Sequence, residues 1–163
     1  MRTAKRISII VCLCGGLLGF GRDASANQAP VPLAERARGA ELVVVGRVAS
    51  VAPAWQVNEF GDRLIVSVMR VVVTETLKGQ APTSLDVEVE GGTIGDVTLH
   101  VSDQTSLAAG ERAVFYLKRA ARGRFVPHLR GLGVLKLDDS NRVSGSSLTL
   151  GEIRREVAVG NAQ

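Results

Sequence analysis

The sequence predicts an all-β domain, an antiparallel barrel of six to seven strands with a short helix near each end. Three observations predict it. Valine-rich segments of strand length recur between turn residues. Leu85, Val87 and Val89 alternate with Asp86, Glu88 and Glu90, the pattern of a strand with one wet face. The strands follow one another closely enough to pair as hairpins, and closing such a sheet removes its exposed edges. A two-sheet sandwich is the alternative. The only tryptophan, Trp55, falls in a loop, so the cysteine–tryptophan core signature of an immunoglobulin domain is missing.

The elements follow in order. Pro32–Ala40 predicts two turns of helix, with Pro32 near the first position. Glu41–Val51 predicts a buried strand, apolar on both faces over Leu42–Val45 and ended by Pro53. Residues 56–61 read as a loop. Asp62–Leu77 is the longest strand candidate, with Val68 and Val72 expected in the core beside Val44, Phe115 and Leu117. Lys78–Pro82 is a turn. The acidic strand 85–90 leads through Gly91–Gly95 into a strand with Val97, Leu99 and Val101 facing in. After a polar loop, Ala113, Phe115 and Leu117 mark a strand, a basic turn follows at Arg119–Gly123, and 125–129 and 133–137 complete the set. Thr149 and Glu152 have capping-box spacing ahead of a helix over 152–159.

Residues 1–26 predict a secretory signal peptide. Arg2, Lys5 and Arg6 precede an apolar run from Ile7 to Leu18, and Ala24-Ser25-Ala26 supplies the small-x-small cleavage pattern before Asn27. The run is shorter than the roughly 20 residues a spanning helix needs. Lipidation at Cys14 is the rival reading, although Leu13 stands where a lipoprotein signal wants a small residue. The expected organisation is thus signal 1–26, lead and short helix 27–39, barrel 40–138, and loop with C-terminal helix 139–163. Residues 1–26 hold four of the 20 basic and one of the 16 acidic residues, leaving a nearly neutral remainder of 16 against 15. The basic pI therefore gives no reason to expect nucleic acid. Both cysteines also lie in this segment, so the mature domain is expected to fold without disulfides or thiolate chemistry.

Three segments resemble the netrin-like domain shared with tissue inhibitors of metalloproteinases. Ala40–Val48 (AELVVVGRV) is similar to the strand that opens that barrel, Val71–Gly79 (VVVTETLKG) to its strand ending in K-G, and Gly110–Leu117 (GERAVFYL) to its G-x-x-Y-L strand. The resemblance covers residues 40–118 and implies an OB-fold barrel. Family members that inhibit metalloproteinases chelate the catalytic zinc with an N-terminal cysteine, which a chain beginning near Asn27 lacks. The resemblance therefore implies a binding module and leaves its target open.

Catalytic constellations are poor. Ser144–Ser147 lack nucleophile-elbow spacing, and Gly91–Gly95 lacks the lysine and helix of a phosphate loop. If residues 90 and 96 paired, Asp86 would face His100 with Glu88 beside them, but nothing fixes further ligands and no metal or cofactor is expected. The hairpin 112–130 is more informative. Strand alternation puts Arg112, Tyr116, Lys118, Arg124, His128 and Arg130 on one outer face, with Lys118 opposite Arg124. Solvent, the acids of 86–90, or an external anion must offset the like charges. The expected function is a secreted or periplasmic, non-catalytic binding module for a protein or anionic polymer, with no membrane contact after cleavage. An inhibitor or accessory of an exported protease is the alternative, and a hydrolase the third reading. If the cationic face pairs with the acidic strand instead, the partner surface moves to the loops around Trp55 and Phe60.

Overall fold

The computed structural model describes residues 31–58, 60–120 and 123–162. The expected cleavage site at Ala24, Ala26 and Asn27 lies outside them. The chain is mostly β. Helix α1 (Leu33–Gly39) precedes β1 (Leu42–Val57), β2 (Arg63–Lys78), β3 (Ser84–Glu90), β4 (Gly92–Ile94), β5 (Val97–Leu99), β6 (Arg112–Arg119), β7 (Phe125–Pro127) and β8 (Val134–Leu137), and α2 (Leu150–Asn161) follows. Six strands form one sheet in the order β1-β2-β3-β7-β6-β8, and β1 also pairs with β6. All these pairings are antiparallel except β3 with β7, which meet in parallel at Val87 and Phe125.

Two apolar clusters account for this arrangement. Leu42, Val44 and Val48 of β1, with Ala113, Phe115 and Leu117 of β6, point to one side, where they meet Met69, Val71, Leu85, Val87 and Phe125. The intervening Val43, Val45, Val114 and Tyr116 point to the other side, against Ala37 and Ala40 near α1 and Leu150, Ile153 and Val157 of α2. The helices therefore cover a sheet face that would otherwise expose valines and a tyrosine. They touch closely: a Cβ on Gly160 would come within 2.5 Å of the Ala34 carbonyl oxygen. Thr149 and Glu152 make the capping box, with Glu152 N donating to Thr149 Oγ1 at 3.2 Å and Thr149 N to Glu152 Oε2 at 2.8 Å. Lys78, at the end of β2, donates from Nζ to the carbonyls of Ala37 (2.7 Å), Arg38 (3.2 Å) and Ala40 (2.7 Å), a cation on the open C-terminus of α1.

Three sequence expectations are corrected. Strand β1 does not end at Pro53 but runs on to Val57, paired with β2 alone beyond Val48. A strand bonded on one side tolerates a residue without an amide proton. Val72 is 45% exposed and Val68 half-buried, while Met69 and Val71 are in the core. Arg70 shares the face of Val68 and Val72 and reaches Asp86 across it. Finally, Val97 and Leu99 belong to a separate β4–β5 hairpin, with Val97 51% exposed. Gly91 and Gly92, at φ 105° and 136°, turn the chain off the sheet there.

Phe115→Ala should lower unfolding stability by about 3–5 kcal/mol, whereas Val72→Ala should cost about 0.5 kcal/mol or less. Urea denaturation of both variants checks the assignment of faces; comparable losses would contradict it.

Candidate functional site

The predicted cationic residues do not form one face. Strand β6 meets β7 with Leu117 opposite Pro127, Lys118 opposite Val126 and Arg119 opposite Phe125. Lys118 therefore faces Val126, two residues out of step with the expected Lys118–Arg124 pair. The turn closes further out, where Ala120 N donates to Arg124 O at 2.8 Å. Strand β7 also ends early, because Leu129 and Arg130 take left-handed φ values of 61° and 53°.

Each acid of β3 has an arginine. Arg70 pairs with Asp86 from β2, Arg124 with Glu88 at 2.6 Å, and Arg130 with Glu90 at 3.0 Å and with Asp103 at 2.7 Å. Exposed pairs of this kind contribute little singly. Together they neutralise the acidic row and occupy two of the six predicted residues. Arg112 donates to Asn141 Oδ1 at 2.9 Å, and Lys118 is exposed.

Tyr116 is fully buried under the helices, and its hydroxyl has no hydrogen-bond partner. Burial pushes its pKa from 10.0 to about 12, with the Arg36 guanidinium opposing and Glu156 adding to the rise. The His128 backbone N–H donates to Tyr116 O at 2.7 Å. Its ring packs so closely on Gly39 that a Cβ there would lie 2.3 Å from Nε2. Burial, and then Lys118 and Lys78, hold the His128 imidazole below its ordinary pKa. His100 is exposed and far in register from Asp86, whose strand neighbours are β2 and β7. Among the described residues no group of three or more His, Cys, Asp or Glu side chains is placed to hold a metal ion.

A run of exposed apolar side chains lies along the β1–β2 hairpin. Beyond Val48 β1 is bonded to β2 alone, and past Ala54, where β2 also leaves β3, the hairpin runs on as a two-stranded arm; Val51 is 36%, Trp55 38%, Val57 68% and Phe60 80% exposed. Its tip is ordered by Asn58. Oδ1 of that residue accepts from Phe60 N at 3.0 Å and Asp62 N at 2.8 Å, and Nδ2 donates to Asp62 Oδ2 at 3.2 Å. The Arg63 guanidinium sits 4.4 Å from the Trp55 ring centroid, a cation–π contact that holds the indole in place. Beside the arm lies a cavity of about 350 Å³ walled by Val57, Leu64, Val66, Val89, Val126 and Pro127. Gln104 also lines it, and its Oε1 is buried without a partner. Phe60 lies in the turn between the strands, as the sequence predicts, whereas Trp55, expected in a loop, lies in β1; the signal for a strand there is Val57 resuming the alternation after Pro53.

No protein-family model matches the chain, and no curated protein sequence matches it significantly.

Tyr116, the only tyrosine, gives a direct readout of the helix-covered face. Its raised pKa means a contribution to stability that is complete below pH 10 and is lost as pH rises towards about 12. Near-ultraviolet absorbance should show tyrosinate forming only near that upper value, together with unfolding. Titration at the ordinary value with the fold intact would put Tyr116 in contact with water. His128 acts at the other end of the scale: its lowered pKa favours the neutral ring, so stability complete above its ordinary value is lost as pH falls below it. Replacing His128 by Gln should flatten that acid limb in melting curves.

Proposed function

We propose that the chain is an exported, non-catalytic binding module on an OB-type barrel, and that it docks a protein partner through the β1–β2 arm. The barrel reading is supported by β1 bonding to both β2 and β6 and by the parallel meeting of β3 with β7, the connectivity of a small five-stranded Greek-key barrel. It also agrees with the resemblance of residues 40–118 to netrin-like domains. Export rests on the N-terminal sequence pattern.

The observation that carries the docking surface is the arm itself. Aromatic residues concentrate binding energy at protein interfaces. Here Trp55 and Phe60 stand exposed on a tip already fixed by Asn58 and Arg63, so little ordering entropy is lost on binding. The anionic-polymer reading loses support, because Arg124 and Arg130 are engaged by Glu88, Glu90 and Asp103.

Residues 27–163, immobilised and exposed to an extracytoplasmic fraction, should retain a partner that is then identified and remeasured as a purified pair. Phe60→Ser with Val57→Ser should cost about 2 kcal/mol or more of binding free energy and leave the melting temperature nearly unchanged. Lys118→Glu with Arg124→Glu should do the opposite. It breaks the bridge to Glu88, lowers stability by about 1 kcal/mol, and leaves affinity intact. Binding lost on charge reversal and kept in the arm variant would return the docking surface to the cationic hairpin.

A further inference from the structure

A second group of cations lies where the start of β6 and the end of β8 meet the middle of β1. Arg47 of β1 stands directly opposite Arg112 of β6, and Arg112 stands opposite Leu137, beside Lys136 on β8. The three cations line one pocket of about 300 Å³ together with Ser144 and the acids Glu111, Asp138 and Asp139. Like charges directly opposite across a strand pair are destabilising. Elsewhere in this molecule such charge is answered by carboxylates, as the arginines facing β3 are. Here it is not: among the described residues neither Arg47 nor Arg112 forms an ion pair.

Each of the two arginines is held by a neutral acceptor. Arg47 Nη1 donates to the Gly110 carbonyl, and Arg112 Nη2 donates to Asn141 Oδ1 at 2.9 Å. A guanidinium has five N–H donors, so one such bond aims the group and leaves most of its donors open. Two of the three acids of the lining, Glu111 and Asp138, are engaged by groups other than the arginines. Glu111 Oε1 takes Lys136 Nζ at 2.5 Å and its Oε2 takes Ala108 N at 2.9 Å. Asp138 Oδ1 takes the backbone N–H groups of Ser140 and Arg142, each at 2.9 Å. Asp139, also in the lining, is exposed.

We infer that this pocket binds a tetrahedral oxyanion of phosphate or sulfate size, between the guanidiniums of Arg47 and Arg112 and within reach of the Ser144 hydroxyl. Two guanidinium forks supply several charge-assisted donors to such a group, and its charge removes the repulsion across the strand pair. The ligand is either the free inorganic ion or the ester group of a larger molecule; the chemistry recognised is the same. The site is independent of the arm and of any protein partner.

The test is a titration of residues 27–163 with inorganic phosphate at ionic strength held constant by chloride. Melting temperature should rise saturably, and the backbone amides of Gly110 and Ser144 should shift with the same midpoint in NMR spectra. Arg47→Gln and Arg112→Gln should each weaken phosphate by about tenfold or more, the effect of one lost charged hydrogen bond. Arg155→Gln, an exposed cation of α2, should leave the titration unchanged. Phosphoethanolamine binding more tightly than phosphate identifies the esterified form, and the reverse order identifies the free ion. A response that chloride reproduces, or that survives in both arginine variants, would overturn the site.

Discussion

Leu42–Val48 of β1 and Ala113–Leu117 of β6 carry apolar side chains on both faces, and both faces must be removed from water. One face is covered by side chains of β2, β3 and β7 that meet it around Phe115. The other can be satisfied only by something from outside the sheet, and the chain supplies it from its two ends. Helix α1 immediately precedes β1, and α2 follows the last strand, so both arrive on the same side of the β1–β6 pair. Lys78 then ties the C-terminus of α1 to the end of β2 through three carbonyls. Burial of Tyr116, the close packing of His128 on Gly39 and the contact of Gly160 with α1 all follow from that covering.

Covering one end of β1 has a consequence for its other end. Past Val48 the strand leaves β6 behind and keeps only β2, so neither core reaches Trp55 or Val57. Charge is distributed by the same geometry. The parallel meeting of β3 and β7 brings Arg124 and Arg130 against the acids of β3, which turns a row of cations into internal ion pairs. At the start of β6 no acidic strand is adjacent, and Arg47 and Arg112 are left facing each other.

Much of this was legible in the sequence. The valine-rich strands, the acidic alternation at 85–90, the helix at each end and the Thr149–Glu152 cap are all local signals, set by residues within a few positions of one another. What was not legible depends on register. Tyr116 shares the parity of Arg112 and Lys118, which predicts a wet face for it. Yet 113–117 is apolar at every position, as 42–45 is, and that double-sided pattern was the sign of a second core. The faces of β2 were reversed because the strand is apolar on both sides, and three register shifts between β1 and β2 break simple alternation. The Lys118–Arg124 pair failed for a similar reason: the length of a turn, which the strands alone do not determine, sets which residues face each other.

The division of β1 into a doubly covered half and a one-sided arm is the claim on which the rest stands, and native-state hydrogen exchange tests it most directly. Amides of Val43–Val48 and Ala113–Leu117 should exchange only through global unfolding, with opening free energies that fall together as denaturant is added. Those of Val51–Val57 should exchange through local opening that denaturant barely changes. Equal protection along the whole of β1, with Trp55 as slow as Val44, would contradict the account.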